Sequence, residues 1–229
     1  MGSMGDISNP DLYEDMLKYL RENKAWPIDG AQMFKEEDAD YDEYAKQRRN
    51  KFDFGADSYR TRLEFVRKYG WAVPNEEALK TIEAFVGGDK VLEVGAGAGL
   101  WAKILSDMGI DIVATDIFEE GGYGYTQEQA HYNIENMNHL KSLECYSDRN
   151  VLMLCWPPYD NSMAHEALMS FKGNKLIYIG EGYGGCTGCD AFHNEVGTSM
   201  SSDKWNLVKE VDIPQWWGLH DSVWLFTRS

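Results

Sequence analysis

The fold of this chain is decided by the stretch Val91-Leu92-Glu93-Val94-Gly95-Ala96-Gly97-Ala98-Gly99-Leu100-Trp101-Ala102. Its apolar start predicts a buried strand, its alternating glycines predict a tight turn, and the amphipathic residues as far as Met108 predict a helix. Glycine is needed where the backbone takes unusual dihedral angles or where a ligand must touch the main chain. The helix directs unpaired N–H groups at the same place. We therefore expect a ligand site here, where Glu93 can accept hydrogen bonds from an ammonium or a hydroxyl group.

Two nucleotide-binding patterns fit these glycines. One is an acid followed by glycines at alternate positions, from Glu93 to Gly99. The other is the dinucleotide fingerprint G-x-G-x-x-G/A, which Gly97, Gly99 and Ala102 satisfy. Asp116 follows the second apolar run, where an acid can bind both ribose hydroxyls of an adenosine, and it suits either pattern. Residues further along the chain must therefore choose between them.

Apolar runs between turn signals predict six more strands, and amphipathic segments between most of them predict helices. This alternation indicates an α/β protein with a largely parallel sheet. The expected strands are 91–94, 110–115, 131–134, 151–156, 175–180, 205–211 and 222–227.

Composition sets the broad class of the protein. No apolar run approaches the roughly 20 residues of a membrane helix, and we see no signal sequence, so we expect a soluble cytoplasmic protein without a membrane partner. The four cysteines are then expected to be free thiols. The formal net charge of −16 opposes binding to phosphate backbones, so nucleic acid is expected to be an unlikely partner.

A second informative stretch, Trp156-Pro157-Pro158-Tyr159, follows the fourth predicted strand. The two prolines fix the backbone, so a carbonyl group in this turn is held rigidly and can accept from a substrate N–H. Tyr159 adds an aromatic face and a hydroxyl group. Trp156 is a hydrogen-bond donor only. The turn is therefore a candidate place to hold a planar nitrogen nucleophile.

These motifs resemble those of class I S-adenosylmethionine-dependent methyltransferases. The acid-x-Gly-x-Gly-x-Gly pattern is similar to their cofactor loop. The proline turn is similar to the Asp/Asn-Pro-Pro-Tyr loop of amino-methyltransferases that act on adenine, cytosine or amide nitrogen, with Trp156 in the place of the acid or amide. A terminal strand hairpin is the methyltransferase variation on this sheet, whereas a dinucleotide dehydrogenase normally continues into a further substrate region. From Tyr69 onward the motifs also resemble a branch of methyltransferase-like proteins that has Trp-Pro-Pro-Tyr and whose substrate the resemblance does not identify.

The resemblance implies a Rossmann-like, seven-stranded sheet that is mostly parallel with an antiparallel last strand and has helices on both faces. It places this domain at residues 58–229, after a helical and acidic extension at residues 1–57. It implies S-adenosylmethionine as the cofactor, with Tyr69 and Trp71 either covering it or packing in the core. The expected cofactor-binding residues are Tyr69, Trp71, Glu93, Gly95, Ala96, Gly97, Gly99, Trp101, Asp116 and Ile117.

The expected activity is methyl transfer to a nitrogen or oxygen of a small molecule or a protein side chain. The candidate catalytic residues are Trp156, Pro157, Tyr159 and Glu181, of which Glu181 follows the fifth strand and can accept a proton. Two alternatives stay open. One is a non-catalytic module that binds cofactor or a partner, and the other is a nucleobase amino-methyltransferase.

Two other clusters have a weaker functional interpretation. Cys186-x-x-Cys189 with His193 suggests metal or redox chemistry, but structural zinc needs four ligands and a second matching pair is absent from the sequence. Basic residues between Lys46 and Lys68 suit an anionic substrate, but the acids that flank them favour a solvated face. We expect no metal.

Overall fold

A computed structural model of the chain describes residues 11–22, 56–118, 126, 128–198, 202–216 and 218–229. Strands and helices alternate over most of this length. The helices are α1 Asp11–Glu22, α2 Ala56–Tyr69, α3 Glu76–Val86, α4 Leu100–Asp107, α5 His139–Cys145, α6 Met163–Ser170 and α7 Asp190–Val196. The strands are β1 Val91–Val94, β2 Ile112–Asp116, β3 Ile134–Asn136, β4 Val151–Cys155, β5 Lys175–Gly180, β6 Trp205–Asp212 and β7 Ser222–Arg228.

The strands form one sheet in the order β3-β2-β1-β4-β5-β7-β6. The first five in sequence pair in parallel, and β7 is antiparallel to both β5 and β6. This confirms the predicted seven-stranded, mostly parallel sheet with an antiparallel last strand. Because β7 runs against its neighbour, its first residue, Ser222, lies opposite the last residue of β5, Gly180. The start of β7 therefore joins the carboxyl edge of the parallel strands, where open α/β sheets bind ligands.

Two hydrophobic cores cover the two faces of the sheet. Residues of α1, α2, α3 and α4 pack on one face, together with Val91 of β1 and Val223 of β7. Residues of α5, α6 and α7 pack on the other face, together with Leu92 and Phe226. Successive side chains of a strand point to opposite faces, so Glu93, Cys155 and Asp221 belong to the face of the first core. The candidate site is built on that face.

Local signals explain where the helices begin and end. Asn75 caps α3, since its side chain accepts from the N–H of Ala78, and Gly87 ends the same helix in the left-handed conformation. The helix α7 was not among the elements expected from the sequence. Its short length, Asp190–Val196, and the glycines before it hide its periodicity.

The bounds of five strands differ from those expected, and local contacts or backbone geometry explain three of these differences. β2 begins at Ile112 because the N–H of Ile110 still bonds to Leu105 of the preceding helix. β3 begins at Ile134 because the N–H of His131 bonds to Ala98 in the glycine turn. β4 ends at Cys155 because Trp156 leaves the extended conformation, with a φ of 52°.

The helix α1 contributes to the first core through Met16 and Leu20, which are fully buried. Residues 23–55 lie outside the described ranges, so the division at residue 57 stays a prediction. Within the part of the chain that the structure describes, no helix is long and apolar enough to span a membrane.

Candidate functional site

The glycine turn after β1 is tied to the end of β2. The N–H groups of Gly95 and Ala96 both donate to the carbonyl of Thr115, at 2.9 and 3.1 Å. Gly99 then opens α4 with a φ of 72°, in the left-handed region that glycine tolerates best. A Cβ atom at Gly99 would lie 3.0 Å from Cβ of Tyr132 and 3.1 Å from Cδ1 of Ile134. Both the backbone conformation and the available space therefore require glycine here.

Asp116, at the end of β2, closes this turn. Its Oδ2 atom accepts from the N–H of Gly97 and its Oδ1 atom from the N–H of Ile117, each at 2.6 Å. Burial raises the pKa of Asp116, and these two hydrogen bonds offset part of the increase. The neighbouring Ile117 side chain is 44% exposed. The end of β2 thus combines acceptor oxygens with an exposed apolar surface, a pairing that suits a ribose and its base.

Glu93 is the buried acid of the turn. It is 1% exposed, and its Oε2 atom has no hydrogen-bond partner among the described residues. Burial raises the pKa of Glu93 to about 8, and the nearby charge of Asp116 adds to the increase. A buried acceptor without a partner costs about 1–3 kcal/mol, so such an atom calls for an explanation. A bound ammonium or hydroxyl group would supply the missing donor.

The segment between α2 and α3 contacts the proline turn through Trp71. Its ring is stacked on that of Trp156, with centroids 4.5 Å apart and an angle of 11°. The guanidinium of Arg62 lies over the ring of Trp71, 5.3 Å from its centroid. Two indole N–H groups hold the segment: Trp101 donates to the carbonyl of Ala72, and Trp216 donates to that of Trp71. Trp101 is therefore a buried residue that holds this segment in position.

Tyr69 has a different place from the one considered for a cofactor cover. It is 1% exposed, its hydroxyl donates to the carbonyl of Asp15 at 3.3 Å, and its ring stacks on His131. Tyr69 therefore packs in the core, which was the alternative to covering the cofactor. Trp71, in contrast, stacks on Trp156 of the proline turn. The hydroxyl group of Tyr69 fixes α1 against α2.

The proline turn begins with an unusual residue. Trp156 has a φ of 52°, in the left-handed region that bulky side chains rarely adopt. Its backbone N–H donates to the carbonyl of Ile179 at 2.8 Å, and its indole N–H donates to Oδ1 of Asp221 at 2.9 Å. The main chain and the side chain of Trp156 therefore connect β4 to β5 and to the start of β7.

The rest of the turn is held by the loop after β5. The carbonyl of Pro157 accepts from the N–H of Gly188 at 3.0 Å, and the N–H of Asp160 donates to the carbonyl of Gly188 at 2.9 Å. The Pro157 carbonyl, expected to be available to a substrate, thus already has one partner. Tyr159 is 68% exposed and is free of such constraints.

A cavity of about 530 Å³ lies beside Tyr159. This volume is in the range of small-molecule sites. Two tyrosines and a histidine give it aromatic walls, and glycines form much of the rest. Its lining consists of Tyr159, Glu181, Gly182, Tyr183, Gly184, Gly185, Cys186, Gly218 and His220.

Glu181 is an anchor of this cavity, not a proton acceptor as expected. Its Oε2 atom accepts from the N–H of Cys186 at 2.7 Å, and its Oε1 atom accepts from the N–H of His220 at 2.8 Å. Burial acts to raise the pKa of Glu181, but these hydrogen bonds outweigh it, and the pKa lies below its ordinary value. Both oxygens hold backbone groups, so the carboxylate is a poor base for a substrate.

His193 is bonded within the loop that also contains Cys186 and Cys189. Nε2 of His193 donates to the carbonyl of Thr187 at 2.7 Å, so Nδ1 accepts from the hydroxyl of Thr198. Burial lowers the pKa of His193. Among the described residues, no group of three His, Cys, Asp or Glu could hold a metal ion, and both cysteines are free. His193 therefore braces the loop before α7.

Asp221 is a site residue that received no role from the sequence. It is fully buried, accepts from Trp156, and has an Oδ2 atom without a partner in the described part of the chain. Burial raises its pKa to about 7. The available signal was weak: one acid after an aromatic-rich connection, next to β7. Of the basic cluster, Lys46, Arg48, Arg49 and Lys51 lie outside the described residues, and Arg62 is at the Trp71 stack.

No family model and no curated protein matches this sequence. Among solved structures, a Streptococcus agalactiae protein of the NADB-Rossmann superfamily matches at 11% identity and a TM-score of 0.46, over 69% of this chain and 70% of that one. A Streptococcus pneumoniae protein assigned as a tRNA methyltransferase, in complex with S-adenosylmethionine, matches at 18% identity and 0.45, over 67% and 73%. A Pyrococcus horikoshii protein assigned as an RNA methyltransferase matches at 13% identity and 0.44, over 71% and 88%. At these values the likeness is one of general fold.

These matches correct one expectation from the sequence. Two of the similar structures are assigned to methylation of tRNA or RNA. A net charge of −16 was taken to make nucleic acid an unlikely partner, and these assignments contradict that expectation. Net charge describes the average field of a protein, whereas a substrate is bound by the local surface of its site.

Proposed function

We propose that the chain is an S-adenosylmethionine-dependent methyltransferase that acts on a nitrogen atom. The observation that carries the proposal is the pair of acids around the glycine turn. Glu93 has a buried oxygen without a partner in the described residues, and Asp116 lies at the end of the neighbouring strand. A ligand that contains both an amino acid and a ribose would match this pair, with its ammonium at Glu93 and its ribose at Asp116. S-adenosylmethionine contains both, and when bound it supplies an electrophilic methyl group.

Each part of the turn has a role in this proposal. Glu93 accepts from the ammonium of the methionine part, and Asp116 exchanges its backbone partners for the ribose hydroxyls. The turn at Gly95, Gly97 and Gly99 lets the ligand approach the main chain, and α4 directs its first N–H groups at the carboxylate. Ile117 offers an apolar surface to the adenine.

The proline turn and its cavity are the proposed acceptor site. Tyr159 stands at the cavity with a largely exposed ring, where it can pack against a planar substrate. The ring of Trp71 stacks on that of Trp156 at the start of this turn. Methyl transfer needs little covalent help from the protein, and alignment of the two reactants can contribute about 7–11 kcal/mol.

Calorimetry with S-adenosylhomocysteine tests the cofactor assignment. We expect saturable binding that is roughly 10-fold weaker in Glu93→Gln, with NAD as the competing ligand. Binding of NAD in place of S-adenosylhomocysteine would end the proposal. If the wild-type protein binds S-adenosylhomocysteine, it is then incubated with tritiated S-adenosylmethionine and three cellular fractions: total RNA, total protein and a small-molecule filtrate.

The fraction that takes up label separates the substrate classes. Label in a small molecule or protein supports the class expected from the sequence, and label in RNA supports a nucleobase amino-methyltransferase. Tight cofactor binding without label in any fraction would favour a non-catalytic module. The observation behind that last alternative is Trp156, which cannot accept a hydrogen bond from an amino group.

A further inference from the structure

The first residue of the proline turn offers no side-chain acceptor to a substrate N–H. Trp156 is a donor only, at the position where the related turn has an acid or amide. The carbonyl of Pro157 already accepts from Gly188 at 3.0 Å. A side-chain acceptor for a nucleophile that presents an N–H group must therefore come from another residue close to the turn.

Asp221 lies next to this position, although it is 65 residues away in the sequence. β5 lies between β4 and β7 in the sheet, and the first residue of β7 pairs with Gly180 at the end of β5. The residue before β7 is thus brought to the same edge as the residue after β4. The indole N–H of Trp156 reaches Oδ1 of Asp221 at 2.9 Å.

The second oxygen of Asp221 has no structural use in the described residues. The residue is fully buried, and Oδ2 has no hydrogen-bond partner there. Gln215 donates only to the backbone carbonyl of Asp221. A carboxylate kept for structure alone would bond both of its oxygens, as Glu181 does with Cys186 and His220. The open oxygen is the feature that calls for a ligand.

We propose that Asp221 is the hydrogen-bond and proton acceptor for the substrate nitrogen, in place of the acid or amide that the proline turn lacks. This inference rests on the proposed methyl-transfer function. Trp156 acts through Asp221 as a positioning residue: it fixes Oδ1, so that Oδ2 is left to face the acceptor nitrogen. The substrate class is a planar group with an N–H bond.

In the proposed step, the substrate nitrogen attacks the methyl group. The lone pair of the nitrogen forms the bond to the methyl carbon, and the carbon–sulfur bond breaks with its electron pair passing to sulfur. The methylated nitrogen then carries the positive charge, and its proton passes to the carboxylate of Asp221. The resulting carboxyl group returns this proton to solvent before the next turnover.

The charges around Asp221 suit this role. Burial raises its pKa to about 7, the hydrogen bond from Trp156 opposes the increase, Glu181 adds to it, and Arg62 of α2 opposes it. On the neighbouring strands, Cys155 and Tyr178 have pKa values raised mainly by burial, with the charge of Asp221 contributing, so both are neutral. A proton acceptor with a pKa near the working pH is the most effective kind.

The test compares Asp221→Asn with wild type, and Asp212→Asn serves as the matched control. The asparagine keeps the shape and the acceptor for Trp156 but cannot take a proton. Asp212 is an exposed residue of β6, so the control removes the same charge outside the site. Affinity for S-adenosylhomocysteine is measured first, and then methyl transfer to the labelled fraction is followed between about pH 5.5 and 8.5.

We expect Asp221→Asn to bind S-adenosylhomocysteine like wild type and to transfer methyl groups roughly 100-fold more slowly. The wild-type rate rises with pH through about 7 as the carboxylate forms, and this rise is absent from the variant. In protein labelled with ¹³C at the aspartate carboxyls, one NMR resonance titrates near pH 7 in wild type and in Asp212→Asn. The same resonance is missing from Asp221→Asn.

The outcomes separate the two proposals. If wild type fails to bind S-adenosylhomocysteine, or binds it and labels no fraction, the methyltransferase proposal fails and this inference with it. If wild type transfers methyl groups and Asp221→Asn keeps the same rate and pH profile, the role of Asp221 alone is overturned. A methylated product whose acceptor atom carried no hydrogen would also overturn it.

Discussion

The two halves of the carboxyl edge of the sheet are built in different ways. On the β1–β2 side, the glycine turn and Asp116 lie within 26 residues of one another, from Val91 to Asp116. On the β4–β5–β7 side, Trp156 meets Trp71 and Asp221, which come from segments far away in the sequence. The first half is a local motif, and the second is an assembly that only the sheet order creates. The sequence therefore predicts the glycine turn and Asp116 together, but of the second half it predicts the proline turn and Glu181 without the contacts to Trp71 and Asp221.

Each half of the edge contains two acids that are bonded in different ways. Asp116 and Glu181 each have both carboxylate oxygens bonded to backbone N–H groups. Glu93 and Asp221 each keep one buried oxygen without a partner in the described residues. Each half thus has one acid with an open oxygen and one with both oxygens bonded to the backbone, of which Asp116 is proposed to exchange those partners for a ligand. The predictions below test this division.

The largest loss of ligand binding is expected from Gly99→Ala in the cofactor half. The new Cβ would lie 3.0 Å from Tyr132, and alanine would have to adopt a φ of 72°. We expect thermal unfolding to show a loss of about 2–3 kcal/mol of stability. Calorimetry should show roughly 100-fold weaker binding of S-adenosylhomocysteine.

Gly109→Ala is the control for this change. Gly109 has a φ of 90°, but no described atom lies within 4 Å of its Cβ position. It should show the backbone cost of about 1 kcal/mol and unchanged ligand binding. Equal loss of binding in both variants would mean that the shape of the turn is not specific to the ligand.

Tyr159→Ala should affect the acceptor half alone. Because the side chain is 68% exposed, its removal should leave the melting temperature and S-adenosylhomocysteine affinity unchanged. The rate of methyl transfer should fall by roughly 100-fold, since the substrate loses an aromatic surface that helps to align it. Leu140→Ala, another exposed apolar residue, is the control and should keep the rate. Full activity of Tyr159→Ala would exclude this turn as the acceptor site.

Glu93→Gln should weaken binding of S-adenosylhomocysteine by roughly 10-fold, because an amide cannot pair with an ammonium charge. It should also remove a pH dependence of stability. The pKa of Glu93 is raised from 4.5 to about 8 in the folded state, so its protonated form favours folding. The stabilisation is complete below pH 4.5 and is lost as the pH rises through 8.

Denaturant unfolding checks this pH dependence. Above pH 8 we expect the variant to be more stable than wild type, by on the order of 4 kcal/mol. Glu210→Gln, an exposed glutamate on β6, should unfold like wild type at every pH. Parallel pH curves for wild type and Glu93→Gln would show that Glu93 is ionised and satisfied in the folded protein.

The smallest effect is expected from Trp156→Phe, which keeps the stacked ring and removes the donor to Asp221. That hydrogen bond lowers the pKa of Asp221, so its loss should raise this pKa above about 7. The midpoint of the pH–rate profile should move to higher pH, and transfer at neutral pH should slow by roughly 5-fold. Trp224→Phe is a matched control, since the buried indole N–H of Trp224 has no described partner. An unchanged midpoint of the pH–rate profile would show that Trp156 does not affect the ionisation of Asp221.

The sequence predicts the two halves of the carboxyl edge to different extents. The glycine turn, the order of strands and helices and the terminal hairpin were predictable, because periodicity and glycine spacing are local signals. Boundaries shifted where a long-range bond intervened, as between His131 and Ala98. Glu181 and Asp221 both lie at the edge of the sheet, and only their hydrogen-bond partners show which of them has an open oxygen.

The left-handed backbone at Trp156 has an evolutionary consequence. Asparagine and aspartate are, after glycine, the residues that accept this conformation most readily, whereas a bulky residue adopts it at a cost of about 1–3 kcal/mol. An acid or amide at this position would thus relieve strain and accept a substrate N–H at once. A chain with tryptophan here retains the strain, and in the proposed arrangement Asp221, directly before β7, supplies the acceptor. Positions 156 and 221 are therefore expected to vary together among related chains.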